Sequence, residues 1–133
     1  AVLRAQVRRM ARDPRARALA VDFGAQWIHV RGFDTFDEKN ERLFPTFDRT
    51  LRADLYEETI RFFHHLFREN RPVREIFDAD YAFLNGRVAA HYAIPGVSGE
   101  AFRKVDGVRR HGRGGILALG AVQAKQAAAS RTL

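Results

Sequence analysis

The sequence predicts a mainly α fold, a compact bundle of about three long and two short helices joined by long irregular loops. Three observations predict it. Apolar residues recur at spacings of three and four through residues 14–30 and 45–70, the pattern of helices with a buried face. Proline and glycine punctuate the chain at the ends of these runs. No stretch alternates apolar and polar side chains convincingly with period two. At 133 residues, one domain can bury a core without metals or disulfides.

Residues 2–12, "VLRAQVRRMAR", read as a basic helix with Val2, Leu3, Val7 and Met10 toward one side. Asp13-Pro14 then supplies an N-cap followed by proline at the first helical position. The helix it starts, over roughly residues 14–30, has Ala16, Leu19, Ala20, Phe23, Trp27 and Val30 on a core-facing stripe about 100° wide. Gly24 within it predicts the close approach of a neighbour. Residues 31–45 form a loop anchored by Phe33, Phe36, Leu43 and Phe44. Pro45 starts the next helix, which runs to the Arg71-Pro72 break. There Leu51, Leu55, Phe62 and Leu66 form one stripe, and Tyr56, Ile60, Phe63 and Phe67 a second beside it. So wide a face marks a central helix.

A short helical turn around "VREIF" precedes Asp80, which is the natural N-cap of a helix over residues 81–92 closed by Ile94-Pro95-Gly96. On that helix Leu84, Val88 and His91 share the inward face, with Arg87 at its margin and Asn85 nearer the opposite margin beside Tyr92. "GVSGEAFRKV" is irregular or briefly extended, "RRHGRGG" is a basic glycine loop, and "ILALGAVQAKQAAAS" has helical composition. The expected division is a helical domain over residues 1–110, with residues 111–133 beginning a following domain or forming a C-terminal helix. A chain opening on Ala1 and closing on Leu133 without a stop signal is expected to be an excerpt of something longer.

Several chemistries are set aside by inspection. The chain has no cysteine, which removes thiolate metal sites, a cysteine nucleophile and covalent haem attachment through Cys-x-x-Cys-His. No apolar run approaches the roughly 20 residues of a bilayer span. Ser98 and Ser130 are the only serines, and neither sits in Gly-x-Ser-x-Gly. His64 and His65, with Glu58, are weak metal candidates, because no histidine stands at 60, 61, 68 or 69 to complete a helical pair. They read as part of a solvated polar face opposite the apolar one. Asp22, Gln26 and His29 line a polar helix edge, and "HGRGG" at 111–115 lacks the lysine and the preceding strand of a phosphate loop.

The net charge of +7 is unevenly spread, with +5 in residues 1–31, −3 in 32–99 and +5 in 100–133. Basic ends can contact an acidic middle, neighbouring domains or an anionic surface. Nucleic-acid binding would want an interleaved basic and aromatic stripe, which is missing. A cleft around His91 with Asn85, Asp80 and Arg87 is the enzymatic or cofactor-binding alternative, since an inward histidine needs a partner to stay charged.

"DADYAFLNGRVAAHYAIPGVSG" resembles a planctomycete-type family of large multidomain proteins, in which c-type-cytochrome-like modules accompany domains of unknown function. The resemblance extends over "RDPRARALAVDFGAQWI" (12–28), "LFPTFD" (43–48) and "EETIRFF" (57–63), and covers most of residues 8–117 in order. "RGGILALGAV" (113–122) looks like the start of the next domain of that architecture. The family-like positions are Asp13, Arg15, Phe23, Trp27, Phe44, Pro45, Glu58, Asp80, Asn85, Arg87, His91, Tyr92, Ile94 and Pro95. Gly86, where an acidic residue is usual, and Ala93, where glycine commonly ends the helix, depart from it. The resemblance implies an exported protein, periplasmic or at the cell surface. It implies haem in separate modules and no cofactor in this chain. The lack of any complete catalytic set, together with the strong core patterning and the charged ends, leads us to expect a non-catalytic scaffold or interaction module, with neighbouring domains of the same polypeptide as partners.

Overall fold

Three helices start on short polar side chains and stop on left-handed residues. The computed structural model of the chain describes residues 2–35 and 42–127. Asp13 accepts a hydrogen bond from the Arg15 N–H, Asp48 from the Leu51 N–H and Asn85 from the Val88 N–H, each filling an amide left open in a first turn. At the far ends, His29, Asn70 and Ala93 take positive φ. The next amide in each case, of Val30, Arg71 and Ile94, reaches back to the carbonyls of Ala25, Leu66 and Ala89 at 2.8–3.0 Å. This is the Schellman stop, here built without glycine.

The fold is mainly α with a small two-stranded sheet. Helix α1 spans Val2–Arg12. Helix α2 runs over residues 14–27 as a continuous rod with a 3-10 first turn at Pro14–Ala16 and a π turn at Ala20–Gly24. Helix α3, Arg49–Arg68, is the long central element. Short helix α4 (Glu75–Asp78) leads to strand β1 (Tyr81–Leu84), helix α5 (Gly86–His91), strand β2 (Arg103–Asp106) and helix α6 (Gly120–Gln126). The strands pair antiparallel, with Tyr81 opposite Asp106 and Leu84 opposite Arg103.

The two stripes on α3 pack as expected. Leu51, Leu55, Ile60, Phe62, Phe63 and Leu66 are buried, and Tyr56 and Phe67 half-buried. The helix starts later than Pro45, however, because Asp48 is the cap. In the loop before it Phe33 is buried against Phe47, while Leu43 faces solvent; Phe36 lies outside the described residues. Helix α3, at 20 residues, has α1, α2 and several shorter elements around it.

Two larger corrections follow. On α2, Leu19, Phe23 and Trp27 are about half-exposed, and the buried positions are Ala20, Gly24 and Ala25, with Val30 buried just beyond its end. The π turn rotates the faces out of the 3.6-residue phase. A Cβ on Gly24 would lie 2.6 Å from Phe63 Cγ, so the close approach is real and α2 meets α3 through its smallest residues. Residues 81–84 form a strand, not a helix, so Asp80 is no cap for them. Instead it accepts from the Arg109 N–H at 2.9 Å and holds the 3-10 turn Val108–His111 beside the sheet. Period two is invisible there because β1 is buried on both faces while β2 is mostly exposed.

Ile116, Leu119 and Ala121 are buried in the same hydrophobic cluster as the α3 side chains. Among the described residues, no helix is long and apolar enough to cross a membrane.

Candidate functional site

Of the four residues proposed from sequence to line a cleft, Asn85, Arg87 and Asp80 are engaged in other contacts. Asn85 is buried and its Oδ1 caps α5 through the Val88 N–H at 2.9 Å. Arg87 reaches across to the Asp54 carboxylate in an ion pair. Asp80 serves the Val108–His111 turn. His91 is exposed rather than inward, backed on one side by the rings of Phe47 and Tyr92 with centroids 6.3 and 5.6 Å away. Partial desolvation, with a smaller contribution from the Arg113 charge, lowers its pKa and favours the neutral imidazole. The correction has a simple cause. Leu84 belongs to the strand, so the face of α5 is phased from Val88 and Ala89, and Tyr92, four residues after Val88, points inward.

That inward tyrosine meets the other residue the sequence misplaced. Glu58 is 1% exposed in the middle of α3. The Tyr92 hydroxyl donates to Glu58 Oε2 at 2.6 Å and accepts from the Gly120 N–H at 2.7 Å. Three segments distant in sequence, α3, the end of α5 and the start of α6, are thereby joined through one hydroxyl. Gly120 is required by the closeness of the contact: a Cβ there would lie 2.6 Å from both Leu55 Cδ2 and the Tyr92 hydroxyl.

Arg113 closes the site from above. Its guanidinium carbon sits 3.9 Å from the centre of the Tyr92 ring, in cation–π range. The same guanidinium donates to the Ala118 carbonyl at 3.1 Å and to Gln123 Oε1 at 2.9 Å. Gln123 Nε2 in turn donates to the Leu117 carbonyl. Residues 113–123 are thus tied to one another and to Tyr92.

Burial dominates the electrostatics. Desolvation pushes the Glu58 carboxyl up to about 8, against the smaller opposing effects of the Tyr92 hydrogen bond, the Arg113 charge and the Gly120 amide. The acid is therefore mostly neutral near pH 7. The Tyr92 hydroxyl is pushed well above the ordinary tyrosine range by burial and then by Glu58. Neither group is a base near neutrality. The arrangement holds a proton and a backbone amide in place, and its chemistry is that of a fastener.

The sequence carried a signal for Glu58. It lies three residues after Leu55 and four before Phe62, squarely on the buried stripe. His65 is misplaced in the same way: it packs between Tyr81 and Phe83, with ring centroids 5.1 and 5.3 Å away, and burial lowers its pKa. His64 is half-buried, and its Nε2 is enclosed without a hydrogen-bond partner. Among the described residues, no three His, Asp or Glu side chains gather in a way that could hold a metal ion. Gly114 and Gly115 of "HGRGG" press against the backbone of Ala79 and Phe77.

Residues 1–94 match the model of a family described as PSD4, protein of unknown function (DUF1592). No curated protein and no solved structure matches the chain.

Proposed function

The chain belongs to the DUF1592 family, and from that premise we propose that it is a non-catalytic helical scaffold that anchors the polypeptide after residue 110 to its own core. The observation that carries this is the buried hydroxyl of Tyr92, shared between Glu58 and the Gly120 amide. A buried carboxyl is expensive to keep and is spent here on orienting one backbone group, which suits a part whose task is to fix a neighbouring segment. Of the polar residues proposed for a cleft, Asn85 caps a helix, Asp80 holds a turn and Arg87 is in an ion pair, while His91 lies at the surface.

The setting proposed is a larger exported, redox-associated polypeptide whose neighbouring domains are the partners and whose haem sits in separate modules. Resemblance to the planctomycete-type multidomain proteins supports it. Limited trypsin digestion tests the scaffold directly. Wild-type chain should resist cleavage after Arg113, Tyr92→Phe should open that site, and His91→Ala should leave it closed. If the chain turned over a polysaccharide or an ester, and His91→Ala abolished turnover without changing the circular dichroism, the scaffold reading would be wrong.

A further inference from the structure

Seven of the eleven large apolar side chains exposed among the described residues fall within the first 27: Val2, Leu3, Val7 and Met10 on α1, and Leu19, Phe23 and Trp27 on α2. Such clustering on two adjacent elements is unlike the single scattered apolar residues of an ordinary surface. At about 100° per residue, Leu3, Val7 and Met10 share an arc of about 60°, and Arg4, Arg8 and Arg12 occupy the next arc of about 80°. Helix α1 has no acidic residue and no buried one.

The basic and aromatic surfaces adjoin. Arg4, Arg8 and Arg12 line a groove with Val7 and Phe67, and the Phe67 ring lies 6.2 Å from that of Phe23, which stacks on Trp27 at 6.3 Å. Other arginines nearby are paired, Arg15 with Asp13, Arg17 with Glu57 and Arg31 with Asp22. Arg4, Arg8 and Arg12 make no ion pair among the described residues, although Glu69 borders the groove.

We propose that this face binds an anionic lipid surface, with α1 lying in the headgroup layer, its arginines on lipid phosphates and Leu19, Phe23 and Trp27 entering the acyl boundary. Charge complementarity asks for an anionic partner. The shape favours a fluid one: Leu19, Phe23 and Trp27 line an open depression with Ala18, Gln26 and Asp22, the last paired with Arg31, rather than an enclosed socket. A bilayer interface takes such a surface without shape matching, and indole and guanidinium are the groups that settle at headgroup depth. The proposal concerns the N-terminal face and is independent of the Tyr92 fastener.

Trp27 is the only tryptophan, so its emission reports the face without a label. The chain is titrated with vesicles of phosphatidylcholine alone and of phosphatidylcholine with about one-quarter phosphatidylglycerol. The expected result is a blue shift and flotation with the anionic vesicles only, weakening as salt is raised. Arg4→Gln/Arg8→Gln/Arg12→Gln should lower the partition coefficient about a hundredfold, at about fivefold per arginine. Phe23→Ser should diminish the shift, and circular dichroism checks that each variant is folded. Equal partition onto neutral vesicles, wild-type partition of the triple arginine variant, or heparin binding with no vesicle binding would each overturn the proposal. So would a Trp27 shift produced only by another domain of the same polypeptide.

Discussion

Replacing Tyr92 by phenylalanine removes one oxygen atom from a ring that is 6% exposed, and the cost can be worked from what that oxygen touches. The Gly120 N–H loses an acceptor at 2.7 Å and Glu58 loses a donor at 2.6 Å, both in buried surroundings. Each orphaned buried partner costs about 1–3 kcal/mol, so the pair gives about 3 kcal/mol, allowing for partial relaxation. In a chain of this size that lowers Tm by about 10 °C. The cavity term is small because the ring remains. Urea denaturation followed by circular dichroism, on Tyr92→Phe, Glu58→Leu and the double variant, closes a thermodynamic cycle. The double variant should cost less than the sum of the singles by about 1–3 kcal/mol, since each single leaves the other group unsatisfied. A Tyr92→Phe cost below about 0.5 kcal/mol, or additivity within about 0.3 kcal/mol, would refute the reasoning.

Glu58 also sets a pH dependence with a definite sign. Its folded pKa of about 8 lies above the ordinary 4.5, so between these values the folded state holds a proton that the unfolded state has released. Stability is therefore greatest below pH 4.5 as far as this group is concerned and is lost as pH rises to about 8, at up to about 1.4 kcal/mol per pH unit. Glu58→Gln should show a flatter stability profile over pH 5–8; parallel profiles would contradict the burial argument. Gly120→Ala should cost about 1–3 kcal/mol by overpacking against Leu55 and Tyr92, read by thermal unfolding. Ala93→Gly should instead stabilise by about 0.5–1 kcal/mol, since Ala93 sits at φ +54 at the end of α5 where glycine carries no Cβ penalty. His91→Ala, at an exposed site, should stay within about 0.5 kcal/mol of wild type in the same assay.

The places where sequence and structure part company share a physical character. Helix α3 was legible because its buried stripes are long and apolar, and three-and-four spacing survives twenty residues. Helix α2 was legible as a helix but not in its face, because a π turn changes the phase and leaves no mark in composition. Strand β1 was hidden by burial on both sides and by a partner, β2, in which Val105 stands alone among charged residues. Misassigning it moved the start of α5 by several residues, and that alone turned His91 inward and Tyr92 aside. Glu58 was on the buried stripe by spacing, but a carboxylate suggests solvent until its partner is known, and Tyr92 and Gly120 are 34 and 62 positions further along, respectively. Gly86 and Ala93 both stand at constrained backbone positions. Gly86 Cα packs on the backbone of Ser98 and Gly99, where a Cβ would come within 2.9 Å of the Gly99 nitrogen. Ala93 holds the left-handed position that glycine would fill.

The scaffold account stands most directly on the Gly120 amide. Hydrogen exchange should find this proton protected in the wild-type chain nearly as strongly as the core amide of Val88. Tyr92→Phe should collapse Gly120 protection while Val88 remains protected. A Gly120 amide that exchanges freely in the wild-type chain, or one equally protected in Tyr92→Phe, would contradict the claim that Tyr92 and Glu58 exist to hold the segment that follows.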